Sequence, residues 1–365
     1  MNRRDFIYAA SAGTASAAMP GTTVAQGDRQ NRNEGPRGRA KLRTITLEEH
    51  FVSPGFVTGP GRGFTEALQK RGPRGVKILD QLREVGDGRL AEMDAAGIDV
   101  QVLSLNAPGV EQADVADQIA HAREANDFLA DIVKKNHKRF AGFAALPVAA
   151  PDQAAEELDR RVRQQGFKGT MINGHSRGRY LDDKFFSPIL ERAEALNVPI
   201  YVHPTVPPKP VVDALYGGFS PAVSSVFAAS GWGWHIETAV HLIRMILGGV
   251  FDRHPKLQVV VGHLGEGLPF MLPRLDRNMP TQLTKLQRPL GAYLRENVHY
   301  TFAGFNFPAT FLDLLLEVGV DRIMFSVDHP YGSMTEARAF LDQIPVSASD
   351  RERIAHGNAE RLFNL

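Results

Sequence analysis

The chain has 365 residues, 43% of them hydrophobic, and a formal net charge of +1. That near-neutral balance gives no basis for nucleic-acid binding, and the composition supports a large folded core. There is no cysteine, which excludes disulfides and thiolate zinc sites, so any metal must be held by histidines and carboxylates.

At the N-terminus, Asn2-Arg3-Arg4-Asp5-Phe6-Ile7 precedes a stretch of small residues from Tyr8 to Met19. This resembles a twin-arginine export signal, with Thr23-Val24-Ala25 as its cleavage site. On this reading residues 1–25 address the chain to the export machinery, residues 26–43 are a flexible polar leader, and the mature protein is periplasmic or secreted. The apolar run is too short to span a bilayer, so no membrane span is expected in the mature chain.

From residue 44 onward, β-branched apolar runs alternate with helical patterns, as in βα units around a parallel sheet. The expected strands are 44–51, 100–106, 140–146, 169–173, 199–203, 258–263, 298–303 and 323–328. The expected helices are 89–96, 115–135, 151–165, 187–196, 237–251, 269–278, 308–318, 334–343 and 349–364, the last capped by Ser349-Asp350-Arg351-Glu352. Eight such strands predict an α/β fold, a (β/α)8 TIM barrel over residues 44–365. Two connections, 52–88 and 205–236, are long, leave strand C-termini and are expected over the barrel mouth.

Barrels of this kind place their chemistry at the C-terminal ends of strands. Glu48 and His50 share one face of the first strand and Glu49 the other, because side chains alternate. His203 is predicted to end the fifth strand, His263 the sixth and Asp328 the eighth. Glu48, His50, His203 and Asp328 form a nitrogen and oxygen set suited to one divalent ion, Zn2+ or Mn2+. No glycine fingerprint of a nucleotide loop is present, so no organic cofactor is expected. His175 and His329 are placed at the pocket edge, and Phe51, Trp234, Tyr300 and Phe302 as flat walls for a ring. His121, His137, His254 and His356 are read as surface or structural, and His241 as packing.

The chain resembles the amidohydrolase superfamily, on the metal-dependent decarboxylase branch that includes aminocarboxymuconate-semialdehyde, γ-resorcylate and 2,3-dihydroxybenzoate decarboxylases. The carrying segments are Leu47-Glu48-Glu49-His50-Phe51, Glu237 through His241, Phe251-Asp252-Arg253-His254-Pro255, and Gly262-His263-Leu264-Gly265-Glu266-Gly267. The resemblance implies that Glu48, His50, His203 and Asp328 hold the metal, and that His263, Glu266 and Asp328 are catalytic. It implies a single ion, because the end of strand four reads Met171-Ile172-Asn173 where binuclear relatives carry a modified lysine. Arg274 matches a position that in relatives reaches a substrate carboxylate, sometimes across a dimer interface; a salt bridge to Glu266 or Asp276 is its other reading. The implied activity is non-oxidative decarboxylation of a small hydroxylated aromatic or dienoic acid, with protonated Asp328 as donor, in a homodimer or homotetramer. The alternative is hydrolysis of an ester, lactone or amide by water activated on the metal.

Overall fold

The computed structural model describes residues 42–365. The predicted export signal and nearly all of the leader lie outside the described residues. The strands are β1 (Ile45–Phe51), β2 (Val100–Leu105), β3 (Phe140–Gly142), β4 (Thr170–Asn173), β5 (Ile200–His203), β6 (Val259–Val261), β7 (Val298–Thr301) and β8 (Ile323–Met324). Continuous parallel ladders run β1-β2-β3 and β4-β5-β6-β7-β8. A parallel bridge between Ala144 and Thr170 joins the two sets. On the other side, His50 N donates to His329 O at 2.8 Å, linking the end of β1 to the chain beyond β8. With helices following the strands, this is the (β/α)8 barrel.

Alternation decides which side chains fill the barrel and which meet the helices. Leu47, Val102, Phe143, Met171, Tyr201, Val260 and Met324 pack together inside, and Phe363 of the Asn358–Phe363 helix joins them edge-on to Phe143. Val202, Val259, Val261 and Phe302 face the helix layer. β1 departs from simple alternation. Thr46 pairs with Gln101 but Glu49 with Leu103, so β1 carries one extra residue there. This bulge changes the parity of the strand. Ile45 and Leu47 face the interior below it, and Glu48 and His50 face the interior above it.

Helices Val115–Lys135, Pro151–Gln165, Ser187–Leu196, Pro308–Val318 and Met334–Gln343 agree with the sequence pattern at both ends. The strands are shorter than expected, and beyond β7 and β8 the chain bonds to side chains instead of neighbouring strands. Ala303 N donates to Ser326 Oγ and Val327 N to Glu49 Oε1. The long connections are not bare loops: the first carries helices Pro54–Thr58, Arg62–Lys70 and Pro73–Arg83, the second Lys209–Leu215 and Pro221–Ala228. The helix expected at 237–251 begins at Gly233 and breaks at Gly249, whose φ of 69° ends it before Val250–Arg253. The last helix is interrupted by a wide turn at Arg353–Gly357, and its cap is Ser347, whose Oγ accepts from Asp350 N. Among the described residues no helix is long and apolar enough to cross a membrane.

Candidate metal centre and active site

Glu48, His50, His203 and Asp328 each present one ligand atom such that all four lie within 4.8 Å of one another. His50 Nε2 is 3.2 Å from Asp328 Oδ1, and His203 Nε2 is 3.3 Å from Glu48 Oε1. Glu48 Oε1 and His50 Nε2 are buried and make no hydrogen bond among the described residues. Orphaned buried acceptors are costly, and here they converge on one point. A divalent cation fits that geometry, and the donor set of two imidazoles and two carboxylates suits Zn2+ or Mn2+.

Each ligand is aimed by a second contact. Ser104 Oγ lies 3.2 Å from His50 Nδ1, leaving Nε2 for the centre. Tyr201, two residues before His203 on the same face of β5, donates its hydroxyl to Glu48 Oε2. Burial and the Glu48 charge push the Tyr201 hydroxyl well above its ordinary range, so it remains a donor. Its proton is committed to Glu48, so Thr301 Oγ1, 2.7 Å away, donates to the Tyr201 oxygen. Gly262 leaves room for the same carboxylate, because a Cβ there would stand 2.4 Å from Glu48 Oε2.

Beyond β6, residues 263–267 all have positive φ, from 50° at His263 to 91° at Gly265. This tight left-handed turn folds Glu266 back on His263, whose Nδ1 lies 2.7 Å from Glu266 Oε1. Glu266 Oε2 meets His235 Nδ1 at 2.6 Å. His263 Nε2 faces Glu48 Oε1 and Asp328 Oδ2, each 3.9 Å away. Burial opposes charge on His263, but Glu266, Glu48 and Asp328 outweigh it and raise the ring well above the usual histidine range. Burial also opposes charge on Asp328, yet the His263 and His50 rings hold it down to about 2. These contacts favour charge on both partners, a protonated His263 ring beside an ionised Asp328.

Five expected pocket residues point elsewhere. Phe51 stacks on Phe128 of the Val115–Lys135 helix, with ring centroids 6.0 Å apart. Phe302 packs among Phe311, Phe325 and Phe340. His329 turns toward Glu92 of the Asp87–Ala96 helix, and burial keeps its ring neutral, down to about 2. Each is an immediate neighbour of an inward residue or lies on the outward parity of its strand, so alternation sends it to the helix layer. His175 spends both nitrogens on loop backbone, Nε2 toward Val206 O and Nδ1 accepting from Gly178 N. Tyr300 likewise bonds outward to Leu294 O. His263 and Asp328 also stand beyond the ends of β6 and β8 rather than within them. Arg274 is exposed on the Leu268–Asn278 helix, and neither Glu266 nor Asp276 pairs with it among the described residues. Trp234 lies at the mouth, with its indole N–H on His235.

Residues that the sequence pattern does not single out complete the wall. Phe305 meets both His263 and His235 edge-on, each at 5.2 Å between centroids. His235 sits in the first turn of the Gly233–Leu247 helix. No periodic signal marks it in Gly231-Trp232-Gly233-Trp234-His235. Tyr201 is legible, since it shares the i, i+2 face with His203.

The chain is similar to known proteins over most of its length. The family model described as amidohydrolase matches residues 64–365. γ-Resorcylate decarboxylase of Polaromonas sp. is 38% identical over 339 residues, which cover 88% of this chain and 98% of that one. The crystal structure of a dihydroxybenzoic acid decarboxylase from Polaromonas sp., with bound manganese and the inhibitor 2-nitroresorcinol, superposes with a TM-score of 0.81 at 36% identity, covering 88% of this chain and 97% of that one. The 5-carboxyvanillate decarboxylase of Novosphingobium aromaticivorans, complexed with manganese and 4-hydroxy-3-methoxy-5-nitrobenzoic acid, gives 0.82 at 32% identity over 89% of this chain and 96% of that one. The chain belongs to the amidohydrolase family, on its metal-dependent decarboxylase branch.

Proposed function

We propose that this enzyme removes CO2 non-oxidatively from a hydroxylated benzoic acid of the dihydroxybenzoate type. The carrying observation is the convergence of Glu48, His50, His203 and Asp328 on one point, with His263 Nε2 facing it 3.9 Å from Glu48 and Asp328. The named relatives act on hydroxylated aromatic acids, which supports that substrate class over a dienoic one. Manganese in two of those structures favours Mn2+ over Zn2+ as the resident ion.

A divalent ion in this site supplies a fixed positive charge that orients the acid and offsets negative charge on its oxygens. The chain supplies the proton. Breaking an aryl–carboxylate bond leaves an electron pair on the ring carbon unless that carbon is protonated first. His263 holds a proton on the side that faces Asp328 Oδ2. Asp328 passes it to the carbon bearing the carboxylate, the carbon–carbon bond breaks, its electron pair restores the aromatic ring, and CO2 leaves. Glu266 keeps His263 charged and oriented. Phe305 presents a flat apolar edge beside His263 for the substrate ring.

Manganese-loaded protein incubated with a panel of hydroxybenzoates is expected to yield phenols and CO2. Cleavage of esters, lactones or amides with no CO2 from any benzoate would assign the site to hydrolysis instead. His263→Ala is expected to keep its metal and lose turnover by about 100-fold or more.

Two wider proposals concern the whole protein. Arg3-Arg4 followed by Phe6 and the small-residue run supports twin-arginine export, and replacing both arginines by lysine is expected to leave the protein in the cytoplasm. Exposed Phe270 and Met271 lie on the Leu268–Asn278 helix, and exposed Leu312 and Leu316 lie on Pro308–Val318, which packs beside it. That apolar face supports a homodimer or homotetramer, which light scattering tests against a monomer.

A further inference from the structure

Glu266 is bonded on both oxygens by imidazoles from different elements. His263 follows β6, whereas His235 stands where the long connection after β5 enters the Gly233–Leu247 helix. The His235 ring is fixed from its far side by its neighbour. Trp234 Nε1 lies 3.2 Å from His235 Nε2, and an indole N–H only donates. The Ser230 carbonyl oxygen also lies 3.3 Å from His235 Nε2, so the ring is held on that side by two neighbours, and its Nδ1–H donates to the Glu266 Oε2 carboxylate oxygen 2.6 Å away. With Oε2 taken, Glu266 offers Oε1 to His263 Nδ1–H at 2.7 Å. That bond leaves Nε2 as the edge of His263 that faces the reaction centre. The same three side chains are close enough to suggest a second cation, yet their two hydrogen bonds already use both Glu266 oxygens and both Nδ1 atoms. The His235 and His263 rings also touch edge-on, with centroids 4.7 Å apart, and Phe305 closes the third side.

We propose that His235 is a positioning residue for the decarboxylation assigned above: it ties the connection after β5 to Glu266 and so sets the tautomer and direction of His263. The role rests on that assignment for its effect on rate, though not for its effect on His263 itself. His235 is a device of the lid segment. The contacts of Trp234 with His235, and of His235 with Glu266, thus link the connection after β5 to the proton carrier.

Two variants separate this role from packing. His235→Phe keeps a flat ring and removes the N–H; His235→Asn keeps a side-chain N–H for Glu266. Expected for His235→Phe is a fall in kcat of about 10- to 100-fold with KM and metal content changed by less than about 3-fold, and for His235→Asn a return to within about 5-fold of wild type. Histidine 15N NMR of the zinc-loaded protein reads His263 without turnover: wild type and His235→Asn are expected to share its Nδ1–H signal, and His235→Phe to shift it. A wild-type kcat in His235→Phe with an unmoved His263 signal overturns the proposal, as does His235→Asn behaving like His235→Phe. Should wild-type protein release no CO2 from any hydroxybenzoate, the decarboxylase assignment fails, and the His263 signal alone decides the role of His235.

Discussion

Glu49 holds Asp328 by the backbone on both flanks. Its Oε1 accepts from Val327 N at 2.9 Å and its Oε2 from His329 N at 3.3 Å. Asp328 has a φ of 65°, a left-handed conformation that costs a non-glycine residue roughly 1–3 kcal/mol. Glu49 thus pins a strained turn while its neighbours Glu48 and His50, on the other face of β1, supply two ligands. Glu49→Ala removes both acceptors and frees Asp328 to leave the centre. Metal affinity measured by titration calorimetry is expected to fall about 10- to 100-fold. Wild-type affinity in Glu49→Ala contradicts this role.

Gly262 tests the packing of the centre from another side. Its φ of −83° suits any residue, so alanine there strains no backbone. A Cβ, however, would sit 2.4 Å from Glu48 Oε2 and 3.1 Å from Ala303 Cβ. Glu48 must then move off both Tyr201 and the ion. Gly262→Ala is expected to purify folded but with metal content reduced below about half of wild type, by elemental analysis. Full occupancy would show that Glu48 is not held as described.

Tyr201 bears on stability through the same carboxylate. In Tyr201→Phe, Glu48 Oε2 loses that donor, and the Thr301 hydroxyl that it frees stands 3.4 Å away, too far for a full replacement. A buried carboxylate short of a donor costs about 1–3 kcal/mol. Urea unfolding of the metal-free variant is expected to show a loss of that order, and no loss would contradict the bond.

Acid and base should act on Glu111 in a defined direction. Burial pushes its carboxyl from 4.5 up to about 7, against the lowering effect of the Asn173 N–H. Between those values the folded chain keeps a proton that the unfolded chain has lost. Its contribution is therefore complete below about pH 4.5 and declines as pH rises through about 7. Glu49 is pushed to about 7 as well and adds a decline of the same sign. Glu111→Gln cannot titrate, so the stability lost between about pH 5 and about pH 8 is expected to shrink by up to about 3 kcal/mol. An unchanged pH profile in denaturant unfolding would remove Glu111 as a source.

Much of the fold and of the site is legible in the amino-acid sequence. Three of the five helices whose ends match to the residue carry strong punctuation: Pro151, Pro308 and Ser187-Pro188 open them, and Gly166 and Gly319 close two. His203 follows from its place after a β-branched run, and Glu48 with His50 from their spacing. Three things are not legible. The bulge between Thr46 and Glu49 depends on pairing with β2, and without it Leu47 and Glu48 could not both face inward. Phe51 and His329 adjoin metal ligands in sequence, yet adjacency in an extended chain means opposite faces. His235 acts through Glu266, thirty-one residues away, across a left-handed turn that no local pattern announces.

The central claim is that four side chains hold one ion on which decarboxylation depends. Its most direct test is anaerobic CO2 release from a dihydroxybenzoate by protein stripped with chelator and then titrated with Mn2+. The expected result is no release from stripped protein and full recovery at one equivalent of metal, with one CO2 per phenol formed. Undiminished release after stripping, or recovery that needs two equivalents, would contradict a single metal centre built from Glu48, His50, His203 and Asp328.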